Sequence, residues 1–280
     1  MEDFLREMAR LKLALPVAVI KGGTGVHRGA GAGYSQEFYG HHGYIPGEDI
    51  RKIDWKAYAR TEQLFVKEFT EEKQMHVRII LDASASMGFG GRCKWEAAKL
   101  ISLGLSHIAL KQGDRLSFVL AGQKMKVLKQ EKAGIEGFFE LVRLLQDIKP
   151  EGAADFERIM ETMTGSTAMT YVISDFFGER VEKSVDFLGK DTQYSVLVQT
   201  LAQEEISPSI EGDLKLIDME TGAVRRIRAT RQLKEKYRRR MTEFMSRIKY
   251  MCMSRGMGYF MAECEESPVK LIKSIPGVYV

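Results

Sequence analysis

Between residues 76 and 200 the chain alternates short β-rich runs with helical stretches, and nothing else in its sequence restricts the fold as strongly. The runs at 77–81, 116–120, 171–174 and 194–198 are compact and apolar, as strands covered on both faces must be. The stretch 94–111 carries Ala97, Leu100, Ile101, Leu103, Leu105, Ile108 and Ala109. That stripe is broad enough for a helix packed closely on a sheet. Further helices are expected at 134–148, near 156–163 and at 179–188, and residues 125–128 are expected to form a hairpin with 116–120. Strands that alternate with helices predict an α/β fold, a doubly wound and mostly parallel sheet with helices on both faces. Its core should include 77–81, 116–120, 169–174 and 194–198, and its sites should lie at the carboxyl ends of the strands.

The rest of the chain is organised around that block. Residues 1–75 read as an N-terminal segment packing on the core, and 76–280 as the α/β domain. The segment opens with a short amphipathic helix and a Gly-rich stretch at 22–33 that no Gly-Lys-Ser/Thr closes, so it is not a phosphate loop. A turn at 43–49 ends in Asp49, a good helix N-cap, before a short helix over 50–60 and a strand over 64–69. Ile53 and Trp55 are expected to anchor the charged stretch 46–55 to the core, and His41 and His42 to be exposed loop residues. After residue 200 the pattern predicts a hairpin of 214–217 with the run from Val224. A long helix over 231–255 follows, with Leu233, Tyr237, Met241, Phe244, Ile248 and Cys252 on one stripe, and then a closing strand at 258–262.

Charge and cysteine usage exclude several classes. A net charge of +4, from 42 basic and 38 acidic residues, is too small to argue for nucleic acid. The densest basic stretches, Arg225, Arg226, Arg228 and Arg238, Arg239, Arg240, have no aromatic stacking platform. The cysteines Cys93, Cys252 and Cys264 lack metal-type spacing and fit a reducing compartment. The N-terminus is not a signal peptide, and no apolar run approaches the roughly 20 residues of a membrane span. A soluble, cytoplasmic protein that binds no nucleic acid is expected.

The most informative motif is Leu81-Asp82-Ala83-Ser84-Ala85-Ser86-Met87, between a buried strand and a helix. Asp82, Ser84 and Ser86 occupy alternate positions and can face one point in an extended loop. A carboxylate and two hydroxyls make an oxygen-only site suited to a hard divalent cation such as Mg²⁺ or Mn²⁺. A turn capped by Asp82 is the simpler reading, but it leaves Asp175, at the end of another buried strand, without a role.

Asp-x-Ser-x-Ser after a hydrophobic strand resembles the metal-ion-dependent adhesion site of von Willebrand factor A domains, and Val172-Ile173-Ser174-Asp175-Phe176 resembles the strand that supplies that site's distal aspartate. Upstream, Glu37-Phe38, Tyr44, Pro46-Gly47-Glu48-Asp49, Arg51, Ile53-Asp54-Trp55 and Ala59-Arg60-Thr61 resemble the signature of the bacterial domain-of-unknown-function family 58, in its short form without membrane helices. The resemblance implies a von Willebrand factor A-like fold with an N-terminal extension. It also implies a metal held by Asp82, Ser84, Ser86 and, through water, Asp175. The loop that supplies a threonine in that family corresponds to Gly152-Ala153-Ala154-Asp155-Phe156 here. Ala154 therefore stands where the hydroxyl should be, with Asp155 a further candidate ligand and metal occupancy left open.

The resemblance further implies a partner, a MoxR-type AAA+ ATPase, contacted through Met87, Gly88, Asp155 and Phe176. The leading expectation is a non-enzymatic interaction module working with that ATPase in assembly, chaperoning or regulation. The alternatives are a metal-dependent hydrolase and a metal-free structural or nucleic-acid-associated protein. Against the hydrolase, no general base stands with a nucleophile, and the paired carboxylates of two-metal sites are missing.

Overall fold

A computed structural model describes residues 2–16, 36–71, 74–90, 93–122, 126–130, 135–154, 156, 159, 167–178, 181–219 and 222–280. The chain divides into two compact units, one of residues 1–24 with 75–280 and the other of residues 25–74. This differs from the expected division at residue 75. The N-terminal helix α1 (Glu2–Met8) and strand β1 (Lys12–Leu13) belong to the larger unit, because Met8, Leu11 and Leu13 join its apolar core.

In the smaller unit, β2 (Gln36–Gly43) pairs antiparallel with β3 (Phe65–Glu71). The helix expected over 50–60 is two pieces, a 3₁₀ turn (Ile50–Lys52) and α2 (Trp55–Thr61). Each has its own carboxylate cap: Asp49 accepts from the Arg51 amide at 3.0 Å, and Asp54 accepts from Lys56 and Ala57 at 3.0 and 3.1 Å. Two caps five residues apart break the helix at Ile53, whose backbone bridges to Val66 instead. Ile53 is buried as expected, but Trp55 is 59% exposed and rests edge-on against Tyr58. His41 and His42 stand on β2, not in a loop, and each meets a carboxylate: Asp54 at 2.8 Å and Glu48 at 3.0 Å.

The larger unit is built on a six-stranded sheet. Its strands are β4 (His76–Asp82), β5 (Arg115–Ala121), β6 (Lys126–Gln130), β7 (Thr167–Ser174), β8 (Thr192–Leu201) and β11 (Gly258–Glu263). They lie in the order β11-β8-β7-β4-β5-β6. The five strands from β11 to β5 are parallel, and β6 closes one edge antiparallel to β5 as the hairpin pattern predicts. The side chains of β4 divide between two faces, as the two-residue period of a strand requires. Val77, Ile79 and Leu81 enter one apolar cluster and Ile80 the other.

The first cluster is covered by α3 (Cys93–Lys111), α4 (Ile135–Gln146) and α8 (Pro268–Ser274). The second is covered by α5 (Val181–Asp191) and the long α7 (Arg231–Ser254). Helices on both faces make this a doubly wound α/β domain. Full burial of each Ile or Leu of β4 contributes about 1.5–3 kcal/mol. Helix α3 is apolar on nearly all sides because the sheet, α1, α4 and α8 surround it. Gly104 allows the close approach, since a Cβ there would overlap Ile272 and stand 3.1 Å from Met8 Sδ.

Three smaller elements complete the unit. α6 (Gln203–Ile206) follows β8, and β12 (Val278–Tyr279) pairs antiparallel with β1. A two-stranded ribbon, β9 (Gly212–Ile217) with β10 (Val224–Ala229), leaves Leu216, Ile217 and Val224 exposed. No helix among the described residues is long and apolar enough to cross a membrane. The helix expected near 156–163 falls largely outside the described residues.

Candidate functional site

From β4 the chain crosses to β5 on one side, then returns to β7 on the other, so the winding direction reverses between β4 and β7. A crevice opens at such a reversal, at the carboxyl ends of the strands. Asp82 ends β4 and Asp175 follows β7 directly, while Leu81 and Ile173 are paired in register, so both candidate carboxylates reach that crevice.

Asp82 is 2% exposed and fully engaged. Its Oδ1 accepts from the Ser84 amide at 2.8 Å and its Oδ2 from the Ser174 hydroxyl at 2.5 Å. Ser174 Oγ in turn accepts from the Phe176 amide at 2.9 Å. The Asx turn that Asp82 makes with Ser84 starts a 3₁₀ turn (Ala85–Gly88), which brings Ser84 Oγ within 3.1 Å of Ser86 Oγ. Backbone bonds from Ala85 N–H to the Gly152 carbonyl and from Glu151 N–H to the Ala83 carbonyl tie this loop to 150–154. The three residues of the motif therefore converge. Burial, with the charge of Asp175 nearby, pushes the Asp82 carboxyl up to about 6.

Asp175 is also buried, and its partner is a residue absent from the sequence-based site. Lys94, in the first turn of α3 and wholly buried, places Nζ 2.7 Å from Asp175 Oδ2 and 2.7 Å from Glu205 Oε1. Its ammonium also lies 5.2 Å from the centre of the Phe177 ring. The remaining groups hold this ion triad rigidly. Asp175 Oδ1 accepts from the Phe177 amide, and Glu205 Oε2 accepts from the Ala202 amide at the start of α6. Gln199 donates to the Asp175 carbonyl and accepts from the Tyr259 hydroxyl. Burial raises the Glu205 pKa, and Lys94 opposes that rise. A signal for Lys94 existed: it lies four and seven residues before Ala98 and Ile101, on the buried stripe of α3. A lysine on such a stripe needs a carboxylate partner.

Two of the residues expected to touch a partner do not face solvent. Met87 is wholly buried in the first core cluster, because the 3₁₀ turn folds its apolar side chain back under the loop. Phe176 is 5% exposed and belongs to the second cluster; a left-handed backbone (φ +58°) at this residue turns it inward. Their neighbours are the exposed aromatics: Phe89 is 39% and Phe177 is 42% exposed, the latter stacked on Phe244. Gly88 is half-buried, Ala154 presents no hydroxyl, and Asp155 lies outside the described residues. The fold also gathers Cys93, Cys264 and Glu265, whose Sγ and carboxylate atoms lie within 4.8 Å of one another, although their spacing in sequence hides it. Two thiols and one exposed carboxylate fall short of a closed tetrahedral set.

Comparison with known proteins agrees with the signature upstream of this site. Uncharacterized proteins of Mycobacterium tuberculosis and Mycobacterium bovis are 26% identical over 212 residues, covering 70% of this chain. The chain spans 64% of the length of these curated relatives. Among solved structures, BatB from Bacteroides thetaiotaomicron has a TM-score of 0.39 at 13% identity, covering 71% of this chain and 95% of its own. An aerotolerance-related membrane protein from Bacteroides fragilis has a TM-score of 0.39 at 17% identity, covering 72% and 96%. Scores this low define no shared fold. The model of the family described as "Protein of unknown function DUF58" matches residues 41–246, which is most of the chain, and the protein belongs to that family.

Proposed function

We propose that this protein is a non-catalytic binding module with a von Willebrand factor A-like domain, and that it presents the carboxyl edge of its parallel sheet to a MoxR-type AAA+ ATPase. The pair would act in the cytoplasm in the assembly, chaperoning or regulation of other proteins. The observation that carries the reading is the contrast between floor and rim at the switch point. The charged groups Asp82, Lys94, Asp175 and Glu205 are between 0% and 9% exposed; Lys94 pairs with Asp175 and Glu205, and Asp82 accepts from the Ser84 amide and the Ser174 hydroxyl. A general acid or base must reach its substrate, and these are held out of reach beneath the loops. Above them, Phe89 and Phe177 project from two loops that the buried network makes rigid. Exposed aromatics on a pre-organised support suit protein recognition. The ATPase as partner rests on the family resemblance alone.

Titration of the ATPase with wild type and with the Phe89→Ser/Phe177→Ser variant tests the proposal. The variant should lose at least tenfold in affinity, about 1.4 kcal/mol, with unchanged circular dichroism. Equal binding by both would remove the interface from this edge, and the stretch 46–55 of the smaller unit would be the next face to test. Asp82 is a poor probe by comparison, since its loss disturbs the loop it caps.

A further inference from the structure

The Asp82 loop has the residue pattern of a divalent-cation site, yet the donors around it do not fit one. A small divalent cation demands about six oxygen ligands, and its affinity rises with the number of charged ones. Among the described residues four donors stood to hold it: Asp82, Ser84, Ser86 and Asp175. The charge of Asp175 is already matched, because Oδ2 lies 2.7 Å from Lys94 Nζ and Oδ1 accepts from the Phe177 amide. Glu205, the other carboxylate in reach of Lys94, divides its oxygens between that ammonium and the Ala202 amide. At position 154 there is no oxygen on the side chain. Among the described residues, an incoming ion would meet two neutral hydroxyls and one carboxylate that already accepts two hydrogen bonds. It would also face the fixed positive charge of a lysine with no exposure to water.

We infer that the Lys94 ammonium replaces the divalent cation as the counter-charge of Asp175, so that the Asp82 loop is a metal-independent contact site. Lys94 ties the end of β7 to the turn that follows β8. It belongs to α3, binds the residue that follows β7, and reaches α6 through Glu205. Unlike a metal, it cannot dissociate and leaves no coordination position for a partner's carboxylate. Recognition at this edge then falls to shape and apolar contact, not to an acidic residue clamped on an ion. The inference deepens the proposed binding reading, but its test uses no partner, so either can fail alone.

The test is Mn²⁺ binding, read by loss of the free-ion electron paramagnetic resonance signal, with thermal midpoints in Mg²⁺ and in chelator. Wild type should leave the free Mn²⁺ signal undiminished and melt at the same temperature in both conditions. Ala154→Thr should behave the same, since it restores a hydroxyl while Asp175 stays neutralised. The double variant Lys94→Ala/Ala154→Thr should bind Mn²⁺ at least tenfold more tightly than wild type and melt higher in Mg²⁺ than in chelator. One Mn²⁺ bound per wild-type chain would overturn the inference. So would a gain in Ala154→Thr alone, or none in a folded double variant. Should the double variant not fold, the first two proteins decide the matter.

Discussion

Replacing Asp82 by Asn isolates the cost of burying a carboxylate at the centre of the site. The Asp82 carboxyl titrates at about 6 in the folded protein, against 3.8 when unconstrained. At about 1.4 kcal/mol per pKa unit the gap is worth about 3 kcal/mol, and burial is complete enough that solvent screening does not reduce it. The sign follows from proton binding. Between pH 4 and 6 the folded chain holds a proton that the unfolded chain releases. This contribution to stability is therefore complete below pH 3.8 and is lost as pH rises through 6.

Asparagine carries no such dependence. Its carbonyl can still accept from the Ser84 amide, but its amide would donate to Ser174 Oγ and leave the Ser174 hydroxyl proton unpaired, at a cost of about 1 kcal/mol. Asp82→Asn should thus be less stable than wild type by about 1 kcal/mol at pH 4 and more stable by about 2 at pH 7.5. Urea unfolding of both proteins in chelator at a series of pH values measures the difference. Asp114, also raised to about 6, accepts from the Met75 amide at the opposite end of the strands and cancels between the two proteins. A wild-type-to-variant difference that moves by less than about 1 kcal/mol across this range would refute the reasoning.

Two further substitutions probe the supports of the site. Lys94→Met leaves Asp175 and Glu205 buried without their cation and should cost about 3–5 kcal/mol by urea unfolding; a loss under about 1 kcal/mol would mean that the triad is not held together as described. Gly104→Ala forces a methyl group against Ile272, Met8 and Phe4, and should lower stability by about 1–3 kcal/mol despite the better helix propensity of alanine. A thermal midpoint unchanged or raised in that variant would show that α1 and α8 give way freely.

The sheet was legible because strands buried on both faces have to be continuous apolar runs. Residues 77–81 and 116–120 fall inside β4 and β5, each of which adds one residue at either end. The strands β7 and β8 extend further than the runs expected at 169–174 and 194–198, through Thr167, Gln199 and Thr200, all buried. Polar residues inside a strand read as its end unless their partners are known. Here Thr167 bonds Thr170 and Gln199 bonds Asp175 and Tyr259, pairings across 3, 24 and 60 residues. The break in the helix expected over 50–60 was hidden differently, since Asp49 and Asp54 each make a sound N-cap and only the fold shows that both are used.

At the site, spacing in sequence revealed what one loop can do alone and concealed what several loops do together. Asp82, Ser84 and Ser86 lie within five residues, and the turn that joins them is a local property of Asp and Ser in extended backbone. Lys94 and Glu205 are 111 residues apart and meet only because α3 and α6 both begin at the carboxyl edge of the sheet. The same topology decides which aromatics a partner can reach. Met87 and Phe176 adjoin the motif and seemed available on that ground, but an apolar side chain next to a strand end is drawn into the core whenever the backbone allows. The 3₁₀ turn allows it for Met87, and the left-handed residue allows it for Phe176. Each loop then sets an aromatic ring outward, Phe89 two residues after Met87 and Phe177 directly after Phe176. Burying one apolar residue of each loop is thus what positions the other for contact, and the rim of this crevice owes its exposed rings to the packing beneath it.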